Sequence, residues 1–154
     1  MPQIDQTDRR LLKLLQRNAQ LTSQELGEAL NLSASQAGRR RQRLEETGMI
    51  TRYAAQIDPR KLGLDVQAFM QVELASQAPQ AAQAFQQLVE SCADITSVWT
   101  LTGESDFLMR VYCANLAALN DLIHRVLLPH PAVARVHSQI VLDQTKRDAP
   151  LPLP

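Results

Sequence analysis

"LTSQELGEALNLSASQAGRRRQRLEETGMI", residues 21–50, decides the fold of the first third of this chain. It contains two helix openings written in the same grammar. Thr22 can cap a helix, Glu25 three residues later can reach back to it, and Leu21 can pack on Leu26, which makes a capping box with a hydrophobic staple. Only Asn31 and Leu32 separate the end of that helix from the next opening, where Ser33 caps, Gln36 closes the box and Leu32 faces Ala37. The second helix then runs to Gly48, a residue suited to a helix end. Upstream, residues 5–18 carry Leu11, Leu12, Leu14 and Leu15 at helical spacing, with Asp5 and Asp8 near the positive end of the helix dipole. Three short helices, the last two on a tight turn, predict a helix-turn-helix module with the first helix supplying core.

The same stretch crowds Arg39, Arg40, Arg41 and Arg43 together. An advance of about 100° per residue puts Ala37 and Leu44 on the inner side of the third helix. Ser35, Gln36, Arg39, Gln42 and Arg43 fall on the outer side. Arg40 and Arg41 lie at the edges of the inner stripe, so their stems are expected to cover the core while their heads reach phosphates or acids. An arginine fork matches guanine edges and phosphate oxygens, and glutamine can pair with adenine. An arginine run alone more often forms a solvated face paired with acids such as Glu45 and Glu46, but its place on the second helix of a tight pair favours double-stranded DNA as partner. Ser33, Ser35, Gln36, Arg39, Arg40, Gln42, Arg43 and Arg52 are the candidate DNA-binding residues.

Beyond Gly48, "MITRYAAQIDPRKLG" alternates briefly and ends in turn-forming residues, which suggests a short strand or linker over residues 51–64. From residue 65 the periods change. "VQAFMQVELAS" alternates as a strand, Pro79 opens a helix bearing Phe85, Leu88, Val89 and Cys92, and strands follow near residues 95–101 and 107–113 around the turn "TGESD". A helix with Leu116, Leu119, Leu122, Ile123 and Val126 ends at "PHP", and a last strand spans about 133–142. This β-α-β-β-α-β order predicts a ferredoxin-like, ACT-like domain over residues 65–146. The expected class is therefore α+β: a winged helix-turn-helix over residues 1–50, a linker, the sheet domain, and a flexible tail, 147–154. Two helices cover one sheet face, and Phe69 and Trp99 are available on the other, so self-association is expected.

Composition agrees with a globular chain. Its 154 residues are 45% hydrophobic and 21% charged. No apolar run reaches the roughly 18 residues of a membrane span, and "MPQIDQTDRR" lacks a signal peptide's apolar region, so a cytoplasmic location is expected. The net charge of zero hides an asymmetry: residues 1–61 hold 11 Lys/Arg against 7 Asp/Glu (+4), whereas residues 62–154 hold 5 against 9 (−4). That pattern fits a basic module for a polyanion joined to a module with other duties. Cys92 and Cys113 lack metal-ligand spacing and lie in apolar segments, so buried free thiols are expected rather than a disulfide or metal site. Neither a cofactor nor a catalytic cluster is indicated.

Across nearly its whole length the chain resembles the Lrp/AsnC family of transcription regulators. "IDQTDRRLLKLLQRNAQ" is similar to the family's opening Asp-x-x-Asp segment, "LSASQAGRRRQRLEETGMI" to its recognition helix, and "LTGESDFLMRV" to its Gly-Asp-x-Asp-Tyr/Phe-Leu signature. Gly38, Arg41 and Glu104 depart from the family pattern. The resemblance implies a homodimer, often assembled into tetramers or octamers, that binds DNA and senses a small molecule, commonly an amino acid. An amino-acid site needs backbone donors, an acceptor for the ammonium and a side-chain pocket. The turn "TLTGESDF" offers these: Gly103 for close approach, Thr102 for its hydroxyl, Glu104 or Asp106 for the ammonium, and Leu101 for the pocket. Ser138 is carried over from the family as a position near the effector cleft.

Two rivals deserve weighing. Some siroheme decarboxylases resemble the same family, and His124, His130 and His137 could then act on a tetrapyrrole. Alternatively the chain is a stand-alone amino-acid-binding module whose N-terminal helices make only protein contacts.

Overall fold

The computed structural model describes residues 4–153; the outermost residues of the expected first domain and tail, 1–3 and 154, lie outside the described residues. The chain divides into two units. One runs up to Gln56 and resumes at Lys146, and the other is Ile57–Thr145.

The helical unit contains α1 (Gln6–Arg17), α2 (Ser23–Leu30) and α3 (Ala34–Glu46). All three open on a capping box. Those of Thr22 with Glu25 and Ser33 with Gln36 match the sequence reading, and a third joins Asp5 to Asp8. Each box satisfies backbone donors that the helix itself cannot. The α2–α3 turn is tight because α2 ends on Asn31 in the left-handed conformation, φ 56°, and because Gly27 lets the turn backbone close on the helix. A Cβ at Gly27 would stand 2.7 Å from the Leu32 carbonyl oxygen. Leu11, Leu12, Leu15, Leu26, Leu30, Ala37 and Leu44 form the buried core, with Leu21 and Leu32 packed on it as the staples require.

Of the strand or linker expected after Gly48, residues 51–58 take the linker form, with no strand. This segment is tied to α3, since the Tyr53 hydroxyl donates to Glu45 at 2.7 Å and the Arg41 guanidinium lies 4.8 Å from the Tyr53 ring centre. Contrary to expectation, the segment after residue 146 is not a free tail. The Gln16 amide accepts from the Leu151 N–H at 2.5 Å and donates to its carbonyl at 3.4 Å, while Leu153 packs against the helical core.

The second unit has the order β1 (Val66–Leu74), α4 (Pro79–Ser91), β2 (Ile95–Thr100), β3 (Phe107–Cys113), α5 (Leu116–Asp121) and β4 (Val133–Ile140). All neighbours are antiparallel, in the order β2-β3-β1-β4. This is the expected ferredoxin-like arrangement. The anticipated single second helix is divided, α5 passing into a π-helical turn over Leu122–Leu127, and Leu116 is exposed. Alternation sorts the strands: Ala68, Met70, Val72, Leu74, Met109, Val111 and Cys113 are buried beneath Phe85, Val89, Leu119, Leu122 and Leu127. Cys113 is buried as expected, and its thiol pKa is pushed up by burial and by nearby Asp94. Cys92 is only half-buried.

Candidate nucleic-acid interface and effector turn

Helix α3 presents the polar face that its periodicity predicts. Ser35, Gln36, Arg39, Gln42 and Arg43 are exposed while Ala37 and Leu44 are buried. Ser33 and Gln36 spend their side chains on the N-terminal cap. Gln42 donates to Glu46 at 2.8 Å. Arg39 and exposed Arg52 make no ion pair among the described residues.

The other three arginines are engaged. Arg40 donates to Asp5 at 2.7 Å and to Asp8 at 2.8 Å. Arg43 donates to the second Asp8 oxygen at 2.5 Å, and its side chain remains 53% exposed. Arg41 binds Glu45 at 3.0 Å and the Leu21 carbonyl at 3.0 Å. Of the two expected destinations for Arg40 and Arg41, acids are therefore the observed one. Asp8 is fully buried, and two guanidiniums meet its charge. The N–H of Asp8 and the Arg40 guanidinium hold the Asp5 carboxyl below its usual range. The Tyr53 hydroxyl, followed by Arg41, does the same for Glu45. Sequence reasoning assigned Asp5 and Asp8 only to the helix dipole.

In the sheet unit the turn after β2 is shaped by Asp106. Its carboxylate accepts from the Leu74 N–H at 2.7 Å and from the Gln77 amide at 3.0 Å, and the Leu74 bond leads in lowering its pKa. Each oxygen thus takes one donor from the fold, which fixes the direction of the carboxylate. Gly103 sits at φ 123°, a region that favours glycine, and Thr102, Gly103 and Glu104 are exposed beside half-buried Leu101. Glu104 and Ser105 border an open cleft of about 260 Å³ with Gln71, Glu73, Arg135 and His137. The pleat separates Ser138 from this group: His137 pairs with Gln71 on the open face, whereas Ser138 pairs with Met70, whose side chain enters the core. Sequence reasoning therefore missed Gln71, Glu73, Arg135 and His137, although their shared strand parity was a readable signal.

The open face also carries Phe69, Leu108, Trp99 and Tyr112 by register, with Trp99 45% exposed. There Arg110 donates to the Ser97 hydroxyl at 3.1 Å, while its Nε is buried without an acceptor. The histidines lie apart: His124 on the π-helical turn, His130 accepting from the Ala132 N–H at 3.3 Å, and His137 on β4. Among the described residues no group of three or more His, Cys, Asp or Glu has metal-holding geometry.

Comparison with known proteins gives matches for both units. The family model described as "Lrp/AsnC ligand binding domain" matches residues 67–151, and that described as "Winged helix-turn-helix DNA-binding" matches residues 4–51. The chain is 31% identical to the DNA-binding transcriptional activator DecR of Escherichia coli over 97% of its own length and 99% of that protein. It is 33% identical to the leucine-responsive regulatory protein of Rhizobium meliloti, over 94% of this chain and 92% of the other. Among solved structures, a transcriptional regulator from Neisseria meningitidis in complex with L-Met has a TM-score of 0.93 and 34% identity, with 97% of each chain covered. E. coli AsnC has a TM-score of 0.87 and 26% identity over 96% of this chain and 97% of that one.

Proposed function

We propose, on the premise that this chain belongs to the Lrp/AsnC family of DNA-binding transcription regulators, that it is a cytoplasmic regulator whose hold on DNA is governed by an amino acid bound at the turn after β2. The observation that carries the effector reading is the polar cleft lined by Glu104, Ser105, Gln71 and His137 together with Glu73 and Arg135, which pair across the strands at 3.4 Å. A free amino acid presents both signs of charge, and such a cleft offers a counterpart to each. Glu104 receives the ammonium, while Leu101 and Thr102 border the remainder of the ligand. Asp106 holds the turn in shape, and Ser138 is left out. The Neisseria relative solved with L-Met supports the ligand class.

Two copies of the chain cover the open sheet face, burying Trp99 and Phe69 and supplying an acceptor for Arg110, and tetramers or octamers build on that dimer. The effector acts by favouring one arrangement of copies. It shifts DNA affinity only as far as its affinities for those arrangements differ. The relatives named above are regulators, and His130 is already engaged, so a tetrapyrrole enzyme is the weaker reading; a Soret band on the purified chain would revive it.

The test is selection of bound fragments from the source genome with and without each of the amino acids. Enrichment of a common sequence, changed by at least one amino acid, is the expected result. Enrichment of nothing would leave a stand-alone ligand-binding module, and enrichment indifferent to every amino acid would remove the effector claim.

A further inference from the structure

The four arginines of α3 are not equivalent, and the acids of α1 make the difference. Asp8 is fully buried, so it cannot itself touch DNA. One of its oxygens takes Arg40 at 2.8 Å and the other takes Arg43 at 2.5 Å, across 32 and 35 residues of sequence. Asp5 takes Arg40 again at 2.7 Å. Two cations of α3 are thus held by carboxylates of α1, while Arg39, one turn before Arg43 on the same face, has no such partner among the described residues.

A free arginine on a helix surface samples many rotamers and attaches to any phosphate within reach, which raises affinity for every sequence alike. An arginine held by a buried carboxylate keeps one direction, and its charge is partly offset by that of the acid. It therefore adds little to indiscriminate binding, and its remaining donors meet DNA in a fixed geometry. Arg43 meets this description, since its guanidinium is bound at one edge while the side chain is half-exposed.

We propose that Asp8 is a positioning residue for sequence readout: it aims Arg43 and withholds Arg40 from phosphates, so that selectivity is gained at the expense of indiscriminate affinity. The proposal rests on reading α3 as the helix that meets DNA.

The experiment uses the full chain, a duplex selected by the wild type from a random pool, and the unselected pool, with affinities measured at several salt concentrations. In Asp8→Asn the shape is kept and the charge is lost: with the amide oxygen turned to the Asp5 N–H, Arg43 keeps only a neutral acceptor and Arg40 faces an amide NH2 instead of an acceptor. Affinity for the unselected pool should rise, and the slope of log affinity against log salt should steepen by about 0.9 for each arginine released to a phosphate. Selectivity should fall roughly tenfold, the discrimination carried by one well-held arginine. Adding Arg43→Ala should remove Arg43's share of the gain in slope and leave Arg40's. A folded Asp8→Asn chain with wild-type slope and selectivity would overturn the proposal and leave Asp8 as a purely structural acid. If that variant does not fold, Asp5→Asn frees Arg40 from one of its two acids and must steepen the slope by a smaller amount; an unchanged slope overturns the proposal. Wild-type protein without salt-dependent binding would instead defeat the reading of α3 on which the proposal stands.

Discussion

Replacing Gly27 by alanine pits two effects of opposite sign against each other within the helix-turn-helix. Helix propensity alone favours alanine by about 1 kcal/mol. Space opposes it: the new Cβ would lie 2.7 Å from the Leu32 carbonyl oxygen and 3.2 Å from both the Ser33 carbonyl carbon and the Ala34 nitrogen. All three are backbone atoms, so relief requires moving the turn that joins α2 to α3. The Leu32 N–H, bonded to the Gly27 carbonyl at 2.9 Å, would move with it. Overpacking of this kind costs about 1 to 3 kcal/mol, and set against the propensity gain it leaves a net loss of up to about 2 kcal/mol. In a unit of this size each kcal/mol lowers the melting temperature by roughly 4 to 8 °C. Gly38 is the internal control. Its added Cβ would meet only the Ser23 side chain, at 3.1 Å from Oγ, and that hydroxyl can rotate away. Gly38→Ala should therefore be neutral or stabilising by up to about 1 kcal/mol. Thermal unfolding followed by circular dichroism reads both variants. Gly27→Ala as stable as wild type, or less damaging than Gly38→Ala, would refute the claim that backbone closeness sets this turn.

Asp106→Ala should destabilise the sheet unit by about 1 to 3 kcal/mol, because it strips the acceptor from the Leu74 N–H. Since that carboxyl is held below its ordinary value, its contribution is present above pH of about 4 and fades as pH falls through the lowered folded value, so Asp106→Ala should flatten the acid limb of a stability-against-pH curve. Ending the chain at Thr145 should lower the unfolding temperature of the helical unit by several degrees through loss of the Gln16–Leu151 bonds and Leu153 packing; calorimetry that finds no change would mean the terminal segment contributes nothing. The fragment 57–145 should sediment as a dimer at micromolar concentration, and a monomer there would contradict self-association through the open face.

What the sequence disclosed was mostly local. The boxes at Thr22 and Ser33 act over three residues, and Ala37 and Leu44 follow from helical period alone, so both could be read without knowing the fold. Strand alternation in residues 66–74 likewise puts Ala68, Met70, Val72 and Leu74 on one face, and that face is buried. The pairing of Asp8 with Arg40 and Arg43 could not be read in this way, because it depends on how α1 lies across α3. The same holds for Gln16 with Leu151, 135 residues apart. In residues 51–58 alternation left strand and linker both open, since it reports a propensity for strand and not the presence of a partner edge. Ser138 shares parity with Val136, which packs against the core, so its place on the opposite sheet face from His137 follows from strand alternation. Asp106 was recognised as part of the turn, but its donors, Leu74 and Gln77, come from elsewhere in the chain.

On the proposed base-reading face of α3, Arg39 is the arginine with no ion pair among the described residues. The most direct test is the affinity of wild type and Arg39→Ala for a selected duplex and for the unselected pool at one salt concentration. Arg39→Ala is expected to lose about 1 to 3 kcal/mol of preference for the selected duplex, with a smaller change on the pool. Undiminished preference in a folded Arg39→Ala chain would contradict the base-reading role of that face.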